Sequence, residues 1–342
     1  MENEVPKAFS LIRDYVKLPL AANAHYEQHE FRQLLAETAS LNWFPEGISN
    51  EHKAELPQAD TLLYHVKKIT PKQVQTQFDH AVKAGIMKAK RMNLLNKPVC
   101  LAIDMNFQEF YGKPTSFTRG GKHKNGTNDF FAYATASIVE PGRRLVIAAL
   151  PYTPLDSTVD ILEKLLQKCS ELVKIKLLLL DRGFFSSEVT RLLESKRQFY
   201  VMPAVRNEKI VELEKTVDCF PFTANYELNK QPVKLVFVKD EDDTLIFCTN
   251  LPCWRNKLTE YYAKRWGIET GYRVAGDFRL KTCSKDFSVR LFFYYFSLLF
   301  YNCWVLANAL SVGVRHFITL ALRVIVLKEA FSSSEESPPP LF

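Results

Sequence analysis

Apolar residues recur at helical spacing through most of residues 8–92, as at Phe31, Leu34 and Leu35, and this predicts a run of helices. Thr70-Pro71 marks one helix start, a capping hydroxyl followed by the residue best tolerated in a first turn. From Lys97 the period changes. Val99-Cys-Leu-Ala-Ile103 is a continuous apolar run, too short for a helix, that ends at Asp104, the pattern of a buried strand. Strands are also predicted over 130–139 and 144–150, joined by the turn signal Pro141-Gly142. A helix follows over 157–173, with Ile161, Leu162, Leu165, Leu166 and Cys169 on one face, and then a strand over 175–180 that stops at Asp181. Ser186 or Ser187 caps a helix through Leu193, and 199–202 forms another strand.

Three strands, helix, strand, helix, strand is the order of a ribonuclease-H-like core, a mixed α/β sheet. Residues 204–255 break the alternation. There the apolar runs 234–238 and 244–248 flank the acidic turn Asp240-Glu-Asp-Asp243, so a β-rich insertion is expected. Its four acids read as a solvated turn, since no buried framework would hold them in ligand geometry. Helix resumes over 256–277. Residues 291–314 carry no charge and are long enough to span a bilayer on length alone. Asn302, Cys303 and Asn308 interrupt that stretch, and a buried core helix is the expectation, with no membrane partner. The organisation read from the chain is a helical N-terminal unit over 1–95, the first part of the core over 96–203, the insertion over 204–255, the core's C-terminal helices over 256–330 and a Ser- and Pro-rich disordered tail over 331–342.

Composition supports a folded protein, with 47% hydrophobic and 24% charged residues. The seven cysteines are scattered and form no Cys-x-x-Cys, which argues against a disulfide framework or zinc ribbon and fits a reducing cytoplasm. No basic stretch followed by an apolar one opens the chain, so no secretory signal is expected. The net charge of +7 is unevenly spread. Lys67, Lys68, Lys72, Lys83, Lys88, Lys90, Arg91 and Lys97 stand against the single acid Asp79, an excess equal to that of the whole chain. Lys113, Arg119, Lys122 and Lys124 form a second knot with no acid among them. Such concentration suits a polyanion, through release of condensed counterions; a solvated helix face accounts equally well for a basic run taken alone. On the polyanion reading the N-terminal helical unit binds DNA, with Lys83, Lys88, Lys90 and Arg91 as contacts.

Three acids stand where a ribonuclease-H-like fold converges: Asp104 at the end of the first strand, Asp181 at the end of the strand after the first crossover helix, and Glu269 on the helix after the insertion. Phosphoryl transfer on DNA needs two hard cations about 4 Å apart, for which carboxylates are the suitable ligands. Taken singly, an acid just past a strand is also a common turn former or helix cap. In Tyr262-Ala-Lys-Arg265-Trp-Gly-Ile-Glu269 the spacing sets Tyr262, Arg265 and Glu269 within about 60° of one another on a helix. One face then offers a metal ligand, a guanidinium and a phenol to one phosphate, although Arg and Glu at i, i+4 also form ordinary surface pairs.

Tyr262-x-x-Arg265-x-x-x-Glu269 resembles the Tyr-Arg-Glu signature of insertion-sequence 4 type DDE transposases, and Ile103-Asp104 with Leu180-Asp181-Arg-Gly-Phe184 resembles their first two acidic motifs. Arg265-Trp-Gly-Ile-Glu-Thr-Gly-Tyr-Arg273, with Arg290 and Tyr301-Asn302-Cys303-Trp304, is similar to an archaeal branch of that group; the likeness spans roughly residues 60–310. It implies an enzyme that binds terminal inverted repeats, cleaves the element's ends and joins the new 3′-hydroxyl to target DNA. It also implies two Mg²⁺ or Mn²⁺ ions on Asp104, Asp181 and Glu269, a homodimer on double-stranded DNA, and a prokaryotic protein at the nucleoid. A nuclease that cuts without rejoining and a DNA-binding relative with a decayed site are the other readings. The family continues with a Lys seven residues after the Glu, where this chain has Gly276. Arg273, one turn beyond Glu269, is expected to replace it, while Lys281 would lie 120° around a helix that persisted so far. Trp254, just before the catalytic helix, is a candidate to stack on an unpaired base or to pack in the core.

Overall fold

The structure, a computed structural model, describes residues 4–52, 55–240, 243–252, 257–265 and 276–310. Two compact units result, one from residues 1–94 with 270–342, the other from 95–269.

The helical unit begins with α1 (Glu4–Tyr15), α2 (Gln28–Ser40), α3 (Pro45–Glu51), α4 (Ala59–Lys67) and α5 (Pro71–Arg91). α5 starts where the sequence places it. The Thr70 hydroxyl accepts the Gln73 amide at 3.3 Å, the Gln73 side chain accepts the Thr70 amide at 2.9 Å, and Pro71 fills the first turn. Val74, Phe78, Val82 and Ile86 make its buried face, and Lys72, Thr76, His80, Lys83 and Lys90 its exposed one.

The sheet unit follows: β1 (Val99–Phe110), β2 (Thr118–Lys124), β3 (Thr127–Ile138), β4 (Val146–Pro151), α6 (Thr158–Leu172), β5 (Ile175–Leu180), α7 (Ser187–Ser195), β6 (Tyr200–Pro203), α8 (Glu208–Lys215), β7 (Phe222–Leu228), β8 (Gln231–Asp240), β9 (Asp243–Thr249) and α9 (Leu258–Ala263). β4, β3, β1, β5 and β6 lie side by side, the first three antiparallel and the last two parallel to β1, which is the ribonuclease-H-like arrangement. Crossover helix α6 is capped by Ser157, whose hydroxyl accepts the Asp160 amide at 3.1 Å, and it buries the five predicted side chains. Ser186 caps α7 by accepting the Val189 amide at 3.2 Å.

The structure adds two features to the sequence reading. β1 runs on past Asp104 to Phe110, and β2, absent from the predicted elements, pairs with the outer edge of β3 across the turn at Asn125-Gly126. Both turn residues have positive φ, 49° and 86°, as a tight hairpin requires. Beyond β6, the strands of the insertion extend the same sheet, with β9 antiparallel to β6, then β8 and β7. This occupies an edge of β6 that would otherwise leave its backbone groups unpaired.

The last described helix, α10 (Phe287–Leu310), belongs to the helical unit, so the division drawn at residue 256 falls differently: 257–265 go with the sheet and α10 with α1–α5. The reason is its composition. An apolar helix without a polar face must be covered on several sides, and α5, α1 and α4 cover it. Phe292, Phe296 and Phe300 stack along it at 6.3 and 6.2 Å, Phe300 meets Phe9 at 5.2 Å, and Phe78 lies 4.4 Å from Tyr295. Tyr295 donates its hydroxyl to Gln75 at 2.6 Å, so its one polar group is satisfied. Long and apolar enough to cross a bilayer, it has 89% of its apolar window buried within the protein.

Candidate active site

Parallel strands β1 and β5 run in register with Ile103 opposite Leu180, both fully buried. The next residue on each chain is an aspartate, Asp104 and Asp181, and each is half-buried. Level residues on adjacent parallel strands point to the same face from backbones about 4.8 Å apart. The register of the two core strands therefore sets Asp104 and Asp181, each directly after a paired residue, at the same end of the sheet. That end is the carboxyl end of β5, where open α/β sheets hold ligands.

Asp104 lies within β1, opposite the buried Thr135 of β3. Asp181 follows β5 and opens a short 3₁₀ turn, Arg182–Phe184, one carboxylate oxygen accepting the Arg182 amide at 2.7 Å. It is thus a turn former as well as a candidate ligand. The two roles are compatible, because a carboxylate offers about four lone pairs on two oxygens and the turn engages one of them.

α9 and the turn after it bring the next two residues, Tyr262 and Arg265. Buried Leu258 anchors it, the Tyr262 ring rests 5.1 Å from Phe247 of β9, and the Arg265 amide donates to the Tyr262 carbonyl at 2.8 Å. The Arg265 guanidinium stands 5.4 Å from the Tyr262 ring centre. Burial pushes the Tyr262 phenol up to about 12; Arg265 pulls it down and the Asp181 carboxylate pushes it up again. Tyr262 is therefore a neutral O–H donor near pH 7, close enough to Asp181 to feel its charge. Arg182 acts on the same phenol. It is a cation of this site to which the sequence reading gave no role, though it stands in the motif directly after Asp181.

Asp104 and Asp181 supply hard oxygen donors, the chemistry that suits Mg²⁺ or Mn²⁺. Among the described residues no group of three or more His, Cys, Asp or Glu could hold a metal ion. Glu269, Arg273 and Trp254 lie outside the described residues. Gly276 is described, with nothing within 4 Å of where a Cβ would stand. Lys281 is half-buried in the non-helical segment before α10 and donates its amide to the Trp43 carbonyl at 2.9 Å. A helical projection from Glu269 therefore does not apply to it.

The α5 cations belong to the helical unit and divide among themselves. Lys83, Lys90 and Arg91 are exposed, whereas Lys88 is half-buried and its charge opposes the burial that raises the Cys303 thiol pKa. Lys88 thus faces inward, unlike the other three.

Two acids at one end of a ribonuclease-H-like sheet, with the phenol of Tyr262 on α9 and the guanidinium of Arg265 just after it, are residue types that suit binding of a metal ion and a phosphate. The family described as Transposase DDE domain matches residues 96–303, more than half of the 342-residue chain, and the protein belongs to it. In fold the chain is similar to piggyBac transposase, solved by cryo-EM in a synaptic complex with hairpin DNA. The TM-score is 0.61 at 14% identity, over 100% of this chain and 79% of that one. No curated protein matches the chain.

Proposed function

We propose that the protein is a metal-dependent DNA transposase of the insertion-sequence 4 type, which cuts double-stranded DNA at the terminal inverted repeats of an element and joins the freed ends to target DNA. What supports the reading is that Asp104 on β1 and Asp181 just after β5 directly follow Ile103 and Leu180, which pair on adjacent parallel strands. Asp104, Asp181 and Glu269 would hold two divalent ions, Mg²⁺ or Mn²⁺, which when bound activate the attacking oxygen and stabilise the leaving one. Arg265 grips non-bridging phosphate oxygens through its planar fork, and Tyr262 donates its O–H to the same phosphate. In the first step water adds to phosphorus and the bond to the 3′ oxygen breaks. In the second the new 3′-hydroxyl displaces a 3′ oxygen of the target. Arg273 takes over the role of the family Lys whose place is held here by Gly276, and two copies on DNA cut the two ends together.

Linear duplex DNA carrying an element end is expected to be cut in the presence of Mg²⁺, to stay intact with EDTA, and to be cut again when Mg²⁺ or Mn²⁺ is restored. Cutting that persists unchanged in EDTA would falsify the reading. The exposed face of α5 supplies affinity for the flanking duplex. Neutralising Lys83, Lys90 and Arg91 together should lower the slope of log affinity against log salt by about 2.7, at about 0.9 per phosphate contact. Adding Lys88→Ala should change the slope little further, because Lys88 faces inward; an unchanged slope in the triple variant returns α5 to a merely solvated face.

A further inference from the structure

We propose that the hairpin formed by β2 and β3, together with the distal half of β1, grips the backbone of duplex DNA about six base pairs from the cleavage point. The inference rests on the DNA-cutting function proposed above and adds a surface to it.

β1 does not end at Asp104. Its antiparallel pairing with β3 continues without a break to Phe110 opposite Asp129. Six residues at about 3.3 Å each carry the strand about 20 Å past the acid, the length of about six base pairs at 3.4 Å. Beyond that point, the segment from Tyr111 to Asn128 contains Lys113, Arg119, Lys122 and Lys124 and neither Asp nor Glu.

Two of those cations brace the hairpin. Arg119 donates to the carbonyls of Thr153 at 2.7 Å and Asp156 at 3.2 Å and lies 3.8 Å over the Tyr152 ring. It pins the strand to the loop before α6. Lys124 pairs with Glu109 at 3.2 Å; Asn125 donates to the same carboxylate at 3.2 Å, and Tyr111 donates its hydroxyl to the Asn125 carbonyl at 2.9 Å. The tip is thereby tied back to β1. Lys113 and Lys122 are exposed, and among the described residues neither has a carboxylate partner.

The glycines point the same way. Two in succession in an edge strand weaken it, and such glycines mark packing limits or close approach by another backbone. Gly121 has a packing reason, since a Cβ there would stand 2.9 Å from the Phe130 ring. Gly120 has none. It is exposed, nothing lies within 4 Å of its missing Cβ, and its φ is outside the range that favours glycine. Bare backbone there, with Lys122 two residues on and Lys113 in the preceding loop, lets a phosphate chain approach closely and meet positive charge.

The test is binding of a short linear duplex by the full chain, followed by fluorescence anisotropy over a range of salt. Lys113→Ala with Lys122→Ala should lower the salt slope by about 1.8, at about 0.9 per contact, with an unchanged melting temperature. Gly120→Glu, placed in open space, should weaken binding about tenfold at low salt. Lys174→Ala, just before β5 and so at the strand end opposite Asp181, should leave the slope alone. If the parent chain binds duplex and the hairpin variants keep its slope and affinity, or lose no more per residue than Lys174→Ala, the hairpin proposal fails and the DNA-cutting function stands. If the parent chain binds no duplex, both fail.

Discussion

Asp104→Asn and Asp181→Asn are each expected to lower DNA cleavage about a thousand-fold or more, equivalent to about 4 kcal/mol of lost transition-state stabilisation. The change swaps a charged oxygen for an amide of the same shape, so it removes a hard ligand without emptying the space. Asn at 104 keeps the β1 backbone pairing opposite Thr135. Asn at 181 can still accept the Arg182 amide, since Asn and Asp serve equally well at such caps. Melting temperatures should therefore stay near that of the parent, and DNA affinity within about twofold, because phosphate contacts made elsewhere set it. Gel-resolved cleavage of an end-bearing duplex, with anisotropy on the same DNA, reads both quantities. Near-parental cutting by either variant would remove that aspartate from the site. Glu269→Gln is expected to behave alike.

Arg265 should show the second largest effect. Its guanidinium stands beside the Tyr262 ring, and the phenol is held neutral by burial with Asp181 nearby. Charge-assisted hydrogen bonds contribute about 1.5–3 kcal/mol each, so Arg265→Ala is expected to slow single-turnover cleavage about a hundred-fold. Arg265→Lys keeps the charge but loses the fork, and a drop of about tenfold is expected. Tyr262→Phe leaves the packing on Phe247 in place and should cost about tenfold through the missing O–H alone. Were Arg265 only a surface partner of Glu269, the pair would contribute under about 1 kcal/mol and all three variants would cut at nearly the parental rate.

The parts of this site that the sequence reveals are those whose pattern is forced by burial. A strand covered on both faces must be apolar throughout, so Val99 to Ile103 and Leu177 to Leu180 announce themselves, and an aspartate directly follows each run. α6 is legible for a related reason, since one face of Leu and Ile at helical spacing has a single plausible partner in the sheet. The hairpin strand β2 is not legible. Thr118-Arg-Gly-Gly-Lys-His-Lys124 has poor strand propensity, and its extended conformation comes from pairing with β3 and from the Arg119 contacts to the 153–156 loop. The continuation of β1 was hidden in another way: Asn106, Gln108 and Glu109 interrupt the apolar run although antiparallel pairing persists to Phe110. For Lys281, angle counting from Glu269 holds only along a continuous helix, and the chain before α10 leaves helical geometry. The side to which α10 belongs was equally unreadable, since an apolar helix states that it must be covered but not by what.

That last assignment has a consequence for the order of events in biosynthesis. α1 and α5 are completed by residue 91, yet α10, against which their apolar faces close, begins at residue 287. At about 5–20 residues per second, roughly ten to forty seconds of synthesis separate the two. For that interval Phe9 and Phe78 wait without the Phe300 and Tyr295 rings they finally meet, while all nine strands of the sheet seen among the described residues emerge between them. The helical unit is thus begun before the sheet unit and closed after it, and its closure reports that the sheet has already been delivered.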